Sequence, residues 1–142
     1  MKYSEFIEVY ENLYGTTKRL EKTTILAEFL KKLHKHENAE WIYLLRGKVL
    51  PDYDTREFGI STQLVIKAIS LSFGIKTEKV VERYNKIGDL GDIASEFAEK
   101  KRQSVLFSSK LSVEKVFSNL IKLFSIEGKG SIDRKMQVIA EL

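Results

Sequence analysis

No cysteine occurs in the 142 residues. Disulfides and thiolate chemistry are therefore excluded, and a reducing, cytoplasmic setting is the expected one. Only one proline is present, Pro51, so long helices are permitted nearly everywhere. No apolar run approaches the ~20 residues that a membrane span needs, so no membrane is expected as a partner. Met1-Lys2-Tyr3-Ser4-Glu5 carries no signal-peptide pattern. No stretch alternates with the period of two that marks a strand, and no short solenoid repeat is found. The two histidines, His34 and His36, face different sides of a helix and make a poor metal pair.

What is present suits one domain spanning residues 1–142, with 43% hydrophobic and 31% charged residues. The net charge is +4 and the pI about 9.2, compatible with nucleic acid but too weak to establish it. Residues 1–71 hold 11 basic and 10 acidic groups and residues 72–142 hold 13 and 10, so the excess lies in the second half.

The apolar periodicity predicts an all-α fold of roughly seven to nine helices. Ser4 is the expected cap of a first helix with Phe6, Val9, Tyr10 and Leu13 on its apolar face, ended by Gly15. Thr16 or Thr17 is the expected cap of a second, with Leu20, Ile25, Leu26, Phe29, Leu30 and Leu33 as its stripe. Asn38 is the expected cap of a short helix with Trp41, Ile42, Leu44 and Leu45 inside, apolar on most sides and expected to be buried. Gly47 to Gly59 is irregular, and Asp52, Asp54 and Glu57 there read as turn formers, without the spacing of a calcium loop. Ser61 or Thr62 caps a strong helix with Leu64, Val65, Ala68, Ile69 and Leu71 apolar, ended by Gly74. Thr77 is the expected cap of the next. A helix from Ser112 runs to Gly128, and the last reaches Leu142 without a stop signal, so the chain reads as cut within a helix.

Two glycine turns stand out, each opening a helix. Gly88-Asp89-Leu90-Gly91 is followed by Ile93, Ala94 and Phe97. Gly128-Lys129-Gly130-Ser131 is followed by Ile132, Met136, Ile139 and Ala140 on one face, with Ser131 as the expected cap. Glycines with φ > 0 let another molecule approach the backbone, and the first turn of a helix offers free N–H groups and partial positive charge, which suit a phosphate. Lys129, Arg134 and Lys135 add positive charge to the second turn. No nucleophile elbow, P-loop or dinucleotide fingerprint occurs. The chain therefore reads as a binding module, with no catalytic residue and no metal site of its own.

The ordered motifs resemble the N-terminal DNA-binding domain of archaeal and eukaryotic ATP-dependent DNA ligases, over essentially the whole chain and most closely the archaeal version. They are Gly47-Lys48-Val49-Leu50-Pro51-Asp52-Tyr53-Asp54, Glu57-Phe58-Gly59-Ile60, Leu64-Val65-Ile66-Lys67-Ala68, and the two glycine turns with Arg134-Lys135. The resemblance implies a helical domain that grips nicked duplex DNA from the minor-groove side through phosphate contacts, without reading bases, in replication, repair and recombination. Carried over by position, Gly88, Gly91, Gly128, Lys129, Gly130, Ser131, Arg134 and Lys135 are implied DNA contacts, with Arg19 a further one. The family's nucleotidyl-transfer lysine precedes x-Asp-Gly, and no Lys-x-Asp-Gly occurs here. ATP and Mg²⁺ are thus implied for a parent enzyme, whose adenylation and OB-fold domains are absent from this stretch, which itself stops short of the usual domain end.

Gln103, Leu106 and Phe107 resemble a shortened motif by which archaeal ligases dock on the replication sliding clamp. The same residues also read as a loop that tucks Leu106 and Phe107 into the core. A helical interaction module for the clamp is thus the alternative function, and a sequence-specific helix-turn-helix regulator, using Arg134, Lys135 and Gln137, is a third.

Overall fold

The computed structural model describes residues 1–36, 38–102 and 111–142. Among these residues the elements are α1 (Tyr3–Tyr14), α2 (Arg19–His34), a 3₁₀ helix (Ala39–Arg46), α3 (Thr62–Phe73), α4 (Thr77–Ile87), α5 (Leu90–Arg102), α6 (Val113–Ser125) and α7 (Ser131–Ala140). The described residues hold no strand, only an isolated antiparallel bridge between Lys2 and Ser112, as the missing period-two pattern implies. Among them no helix is long and apolar enough to cross a membrane.

The chain divides into two compact units. The first takes Met1–Arg56 and α6 as far as Ile121; the second runs from Glu57 through α5 and resumes at Lys122. In the first, Phe6 is fully buried and meets Phe29 edge-on at 4.7 Å between ring centres. Leu33, Trp41, Leu44, Val49, Val113 and Val116 are also buried there. The backbone ties the N-terminus to the start of α6: the Tyr3 amide donates to the Leu111 carbonyl at 2.9 Å and the Val113 amide to the Met1 carbonyl at 3.1 Å. The Tyr10 hydroxyl donates to the Leu44 carbonyl at 2.6 Å, pinning α1 to the 3₁₀ helix.

The second unit is arranged around α3, which packs against α4, α5 and α7. Its core is Ile66 and Ile69 of α3, Val80 of α4, and Ile93 and Phe97 of α5. Ser61 caps α3 as expected, its hydroxyl accepting from the Leu64 amide at 3.2 Å, and Gly74 ends it in the left-handed region at φ 63°. Glu96 of α5 accepts hydrogen bonds from Arg83 of α4 and from Lys100 one turn on; these bonds, Lys100's first, hold its carboxyl below the usual range.

Several helix starts differ from the sequence expectation. The N-cap of α1 is Lys2, not Ser4; that of α2 is Lys18, not Thr16 or Thr17; that of α4 is Lys76, not Thr77. In α1 the backbone bridge to Ser112 starts the helix two residues early. Before α2, the Thr16 hydroxyl accepts from the Lys18 amide and donates to Glu21, shaping the approach instead of the first turn. The Thr77 hydroxyl is turned to Ser70 of α3. Leu20, placed on the apolar stripe of α2 by spacing, is 82% exposed; the buried side is carried by Phe29 and Leu33. Ile42, expected to be buried, and Leu71, of the apolar set of α3, are exposed as well, because the neighbours of each helix cover only part of its apolar surface.

Phe29→Ala opens a cavity against Phe6 and is expected to cost about 3–5 kcal/mol, whereas Leu20→Ala should change stability by less than about 0.5 kcal/mol; urea unfolding measures both. Burial, helped by the charge of Tyr3, pushes the Tyr10 hydroxyl up to about 12. A raised pKa favours the protonated folded form. The stability it supplies is therefore complete below the ordinary tyrosine value near pH ~10 and lost as pH rises through about 12. Tyr10→Phe is expected to flatten that alkaline limb of a stability–pH curve.

Candidate nucleic-acid interface

All residues discussed here lie in the second unit unless stated. The two glycine turns are built differently. Gly88 closes α4 at φ 80°, its amide donating to the Tyr84 carbonyl at 2.8 Å. Asp89 then caps α5: its carboxylate accepts from the Asp92 amide at 3.0 Å. A side chain on Gly91 would meet that carboxylate at 3.0 Å. Gly91 thus keeps space for the chain's own anion, and the helix terminus already holds negative charge. Leu90, Gly91 and Ala94 also line an open cleft of about 710 Å³ beside Val65 and Ile69, with Ile139–Leu142 on its other side.

The α7 turn carries no such plug. Gly128 and Gly130 are left-handed, at φ 80° and 77°, with nothing within 4 Å of where a Cβ would stand at either. The N-cap is Gly130 and not Ser131, whose hydroxyl makes no cap bond. Ser131 is the first helical residue, its amide donating to the Gly128 carbonyl at 3.1 Å, and the Arg134 amide closes the first turn on the Gly130 carbonyl. This leaves the Ile132 and Asp133 amides without an intrahelical acceptor. Lys129 projects at the tip, exposed; Ile132 is 62% exposed instead of buried on the stripe, and Asp133 is the acidic residue of the first turn.

The two other basic residues of this stretch turn inward on the backbone. Arg134 donates to the Glu127 carbonyl at 2.8 Å, bracing the turn from within. Lys135 reaches 77 residues back, donating to the Phe58 carbonyl at 2.7 Å. Phe58 also stacks on Phe124 at the end of α6, with ring centres 4.6 Å apart. The role of Phe58 was not visible in the sequence beyond its place in Glu57-Phe58-Gly59-Ile60; no local pattern links residues so far apart. Arg19 lies in the first unit, exposed, as the first residue of α2. Gln103, Leu106 and Phe107 lie outside the described residues.

In the first unit, Asp52 is bound by Arg46 and Lys48, and Asp54 by Arg56. Hydrogen bonds from these cations, from Lys48 foremost at Asp52, hold both carboxyls below their ordinary range. No cluster of three or more metal-ligating side chains occurs among the described residues.

A family model described as the DNA ligase N terminus matches residues 2–142. The chain is 37% identical over 142 residues to a DNA ligase of Thermococcus onnurineus, covering 100% of this chain and 25% of that protein. It is 40% identical over 144 residues to a DNA ligase of Methanosphaera stadtmanae, covering 99% and 26%. A DNA ligase of Nitrosopumilus maritimus is 38% identical over 142 residues, with 100% and 24% covered. The chain spans about a quarter of the length of these curated relatives.

Substituting the two turns should separate their roles. Gly130→Ala forces a side chain into the left-handed region and is expected to cost about 1–2 kcal/mol. Gly91→Ala displaces the Asp89 cap and is expected to cost about 1 kcal/mol, a loss that Asp89→Ala should make redundant. Thermal unfolding of the three variants and the double one measures this. A Gly91→Ala effect that adds fully to Asp89→Ala would remove the capping account.

Proposed function

The chain belongs to the DNA ligase N-terminal family, and from that premise we propose that it is the part of such an enzyme that grips duplex DNA around a nick. The grip is on backbone phosphates from the minor-groove side, without base reading. The observation that carries this is the open start of α7. Two left-handed glycines present a helix terminus with unbonded amides and an exposed lysine at its tip, the arrangement that binds phosphate irrespective of sequence. A sealing enzyme needs that indifference, since nicks occur in any sequence.

The relatives are named as DNA ligases, and the residues here supply binding and orientation only. Activation of ATP and Mg²⁺ chemistry would fall to the rest of a parent enzyme. Within this stretch, Gly128, Lys129, Gly130 and Ser131 form the main contact. The α5 turn with Gly88 and Gly91 is a lesser one, because Asp89 has taken its amide and adds a like charge to that of the phosphate. Arg134 supports the turn from behind and can still present its remaining N–H groups. Arg19 is a separate contact on the first unit.

Fluorescence anisotropy of a labelled nicked duplex over a salt series tests this. Binding is expected to be weak, indifferent to random-sequence competitor composition, and steeply salt-dependent, with log K falling by about 0.9 per phosphate neutralised per log unit of salt. Lys129→Ala should make the slope shallower by about 0.9. Absence of binding at low salt, or a preference for one base sequence, would overturn the reading. Binding of a sliding clamp in place of DNA would favour the interaction-module alternative.

A further inference from the structure

Lys135 is one of three basic side chains around the α7 turn, yet its ammonium faces the protein's own backbone. It donates to the Phe58 carbonyl at 2.7 Å, and its Nζ stands 3.0 Å from the place a Cβ on Gly59 would occupy. Gly59 is left-handed, at φ 58°, so a side chain there would be strained as well as crowded. The approach is possible because residue 59 has no side chain.

Phe58 therefore holds both helices that flank the glycine turn. Its ring lies on Phe124 in the last turn of α6, at an interplanar angle of 27°, and its carbonyl takes the ammonium of Lys135 in the second turn of α7. The turn between them, Gly128 to Gly130, has left-handed glycines and nothing packed where their side chains would be. Glycine turns of this kind do not fix their own geometry. What fixes it is the internal bond of Arg134 to the Glu127 carbonyl, together with the external bridge through Phe58.

We infer that Lys135 is a positioning residue and not a phosphate contact: its bond to the Phe58 carbonyl, accommodated by Gly59, holds the start of α7 in place against Phe58 and the Phe124 turn and so aims the open start of α7. This rests on the reading that the α7 turn grips DNA. It assigns to Glu57–Ile60 the work of holding the grip in shape from a distance of more than sixty residues in sequence.

The test pairs two readouts on the whole chain. One is ¹H–¹⁵N spectra without DNA; the other is anisotropy of labelled nicked duplex over a salt series. Lys135→Met keeps the aliphatic stem and removes the donor. It should shift the amides of Gly128 to Asp133 while those of Ile66, Val80 and Ile93 stay in place, and weaken duplex binding about fivefold, the scale of one lost hydrogen bond. The salt slope should remain that of the unsubstituted chain. Gly59→Ala pushes the ammonium away with every charge retained, and should give the same turn shifts and the same loss; the double variant should add less than the sum. A shallower slope by about 0.9 in Lys135→Met with unmoved turn amides would make Lys135 a direct phosphate contact and overturn the inference. So would unchanged spectra and affinity in both variants. If the unsubstituted chain fails to bind duplex, the DNA reading fails by itself, and the turn amides in the two variants still decide whether the latch sets the turn.

Discussion

The second unit depends on one constraint: α3 cannot be left in water. Its sequence, Thr62-Gln63-Leu64-Val65-Ile66-Lys67-Ala68-Ile69-Ser70-Leu71-Ser72-Phe73, buries Leu64, Ile66, Ala68 and Ile69 and leaves the line of Gln63, Lys67 and Leu71 exposed along its length. So wide an apolar face has to be covered by other elements, and α4, α5 and α7 do this. Ser72 of α3 bonds the same neighbours. Ser72 donates to the Ala140 carbonyl of α7, and the Ser72 carbonyl accepts from Lys101 of α5. The placement of α7, and with it the glycine turn that leads into it, follows from covering α3.

The two glycine turns show how similar sequence signals produce different electrostatics. Both open a helix and both use a left-handed glycine. One of them follows its glycine with Asp89 and satisfies its own terminus. The other follows its glycine with Lys129 and leaves the terminus to be satisfied from outside. The intervening residue decides, because a carboxylate of the right length competes for the same amides as an incoming phosphate.

The helices were legible in the sequence because their signals are local. Apolar spacing located α1 to α7, Gly15 and Gly74 closed two of them, and Ser61 and Ser112 capped two as their chemistry suggests. The caps misjudged at α1, α2, α4 and α7 are those where something beyond the first turn takes over: a bridge to Ser112, a side-chain bond to Glu21, a hydroxyl pulled to Ser70, a left-handed glycine at the N-cap. Leu20 and Ile132 sit on apolar stripes yet stay exposed, because periodicity names a face without saying how far along the helix it is covered. At the interface, the open turn and Lys129 could be read locally. The inward bonds of Arg134 and Lys135 could not, since a lysine on a helix gives no sign of a carbonyl 77 residues away.

The sharing of α6 between the two units has a consequence for how the chain is made. Met1 and Tyr3 find backbone partners at Val113 and Leu111, and the second unit receives Phe124 from the end of the same helix. A ribosome delivers a chain from its N-terminal side, so neither unit can be completed until α6 has emerged. Until then Phe6, Phe29 and Trp41 wait in a partly assembled cluster while α3, α4 and α5 are synthesised. Closure across so long a separation is intrinsically slow, and apolar surface held open during that interval is the kind that chaperones attend to and that aggregates when they do not.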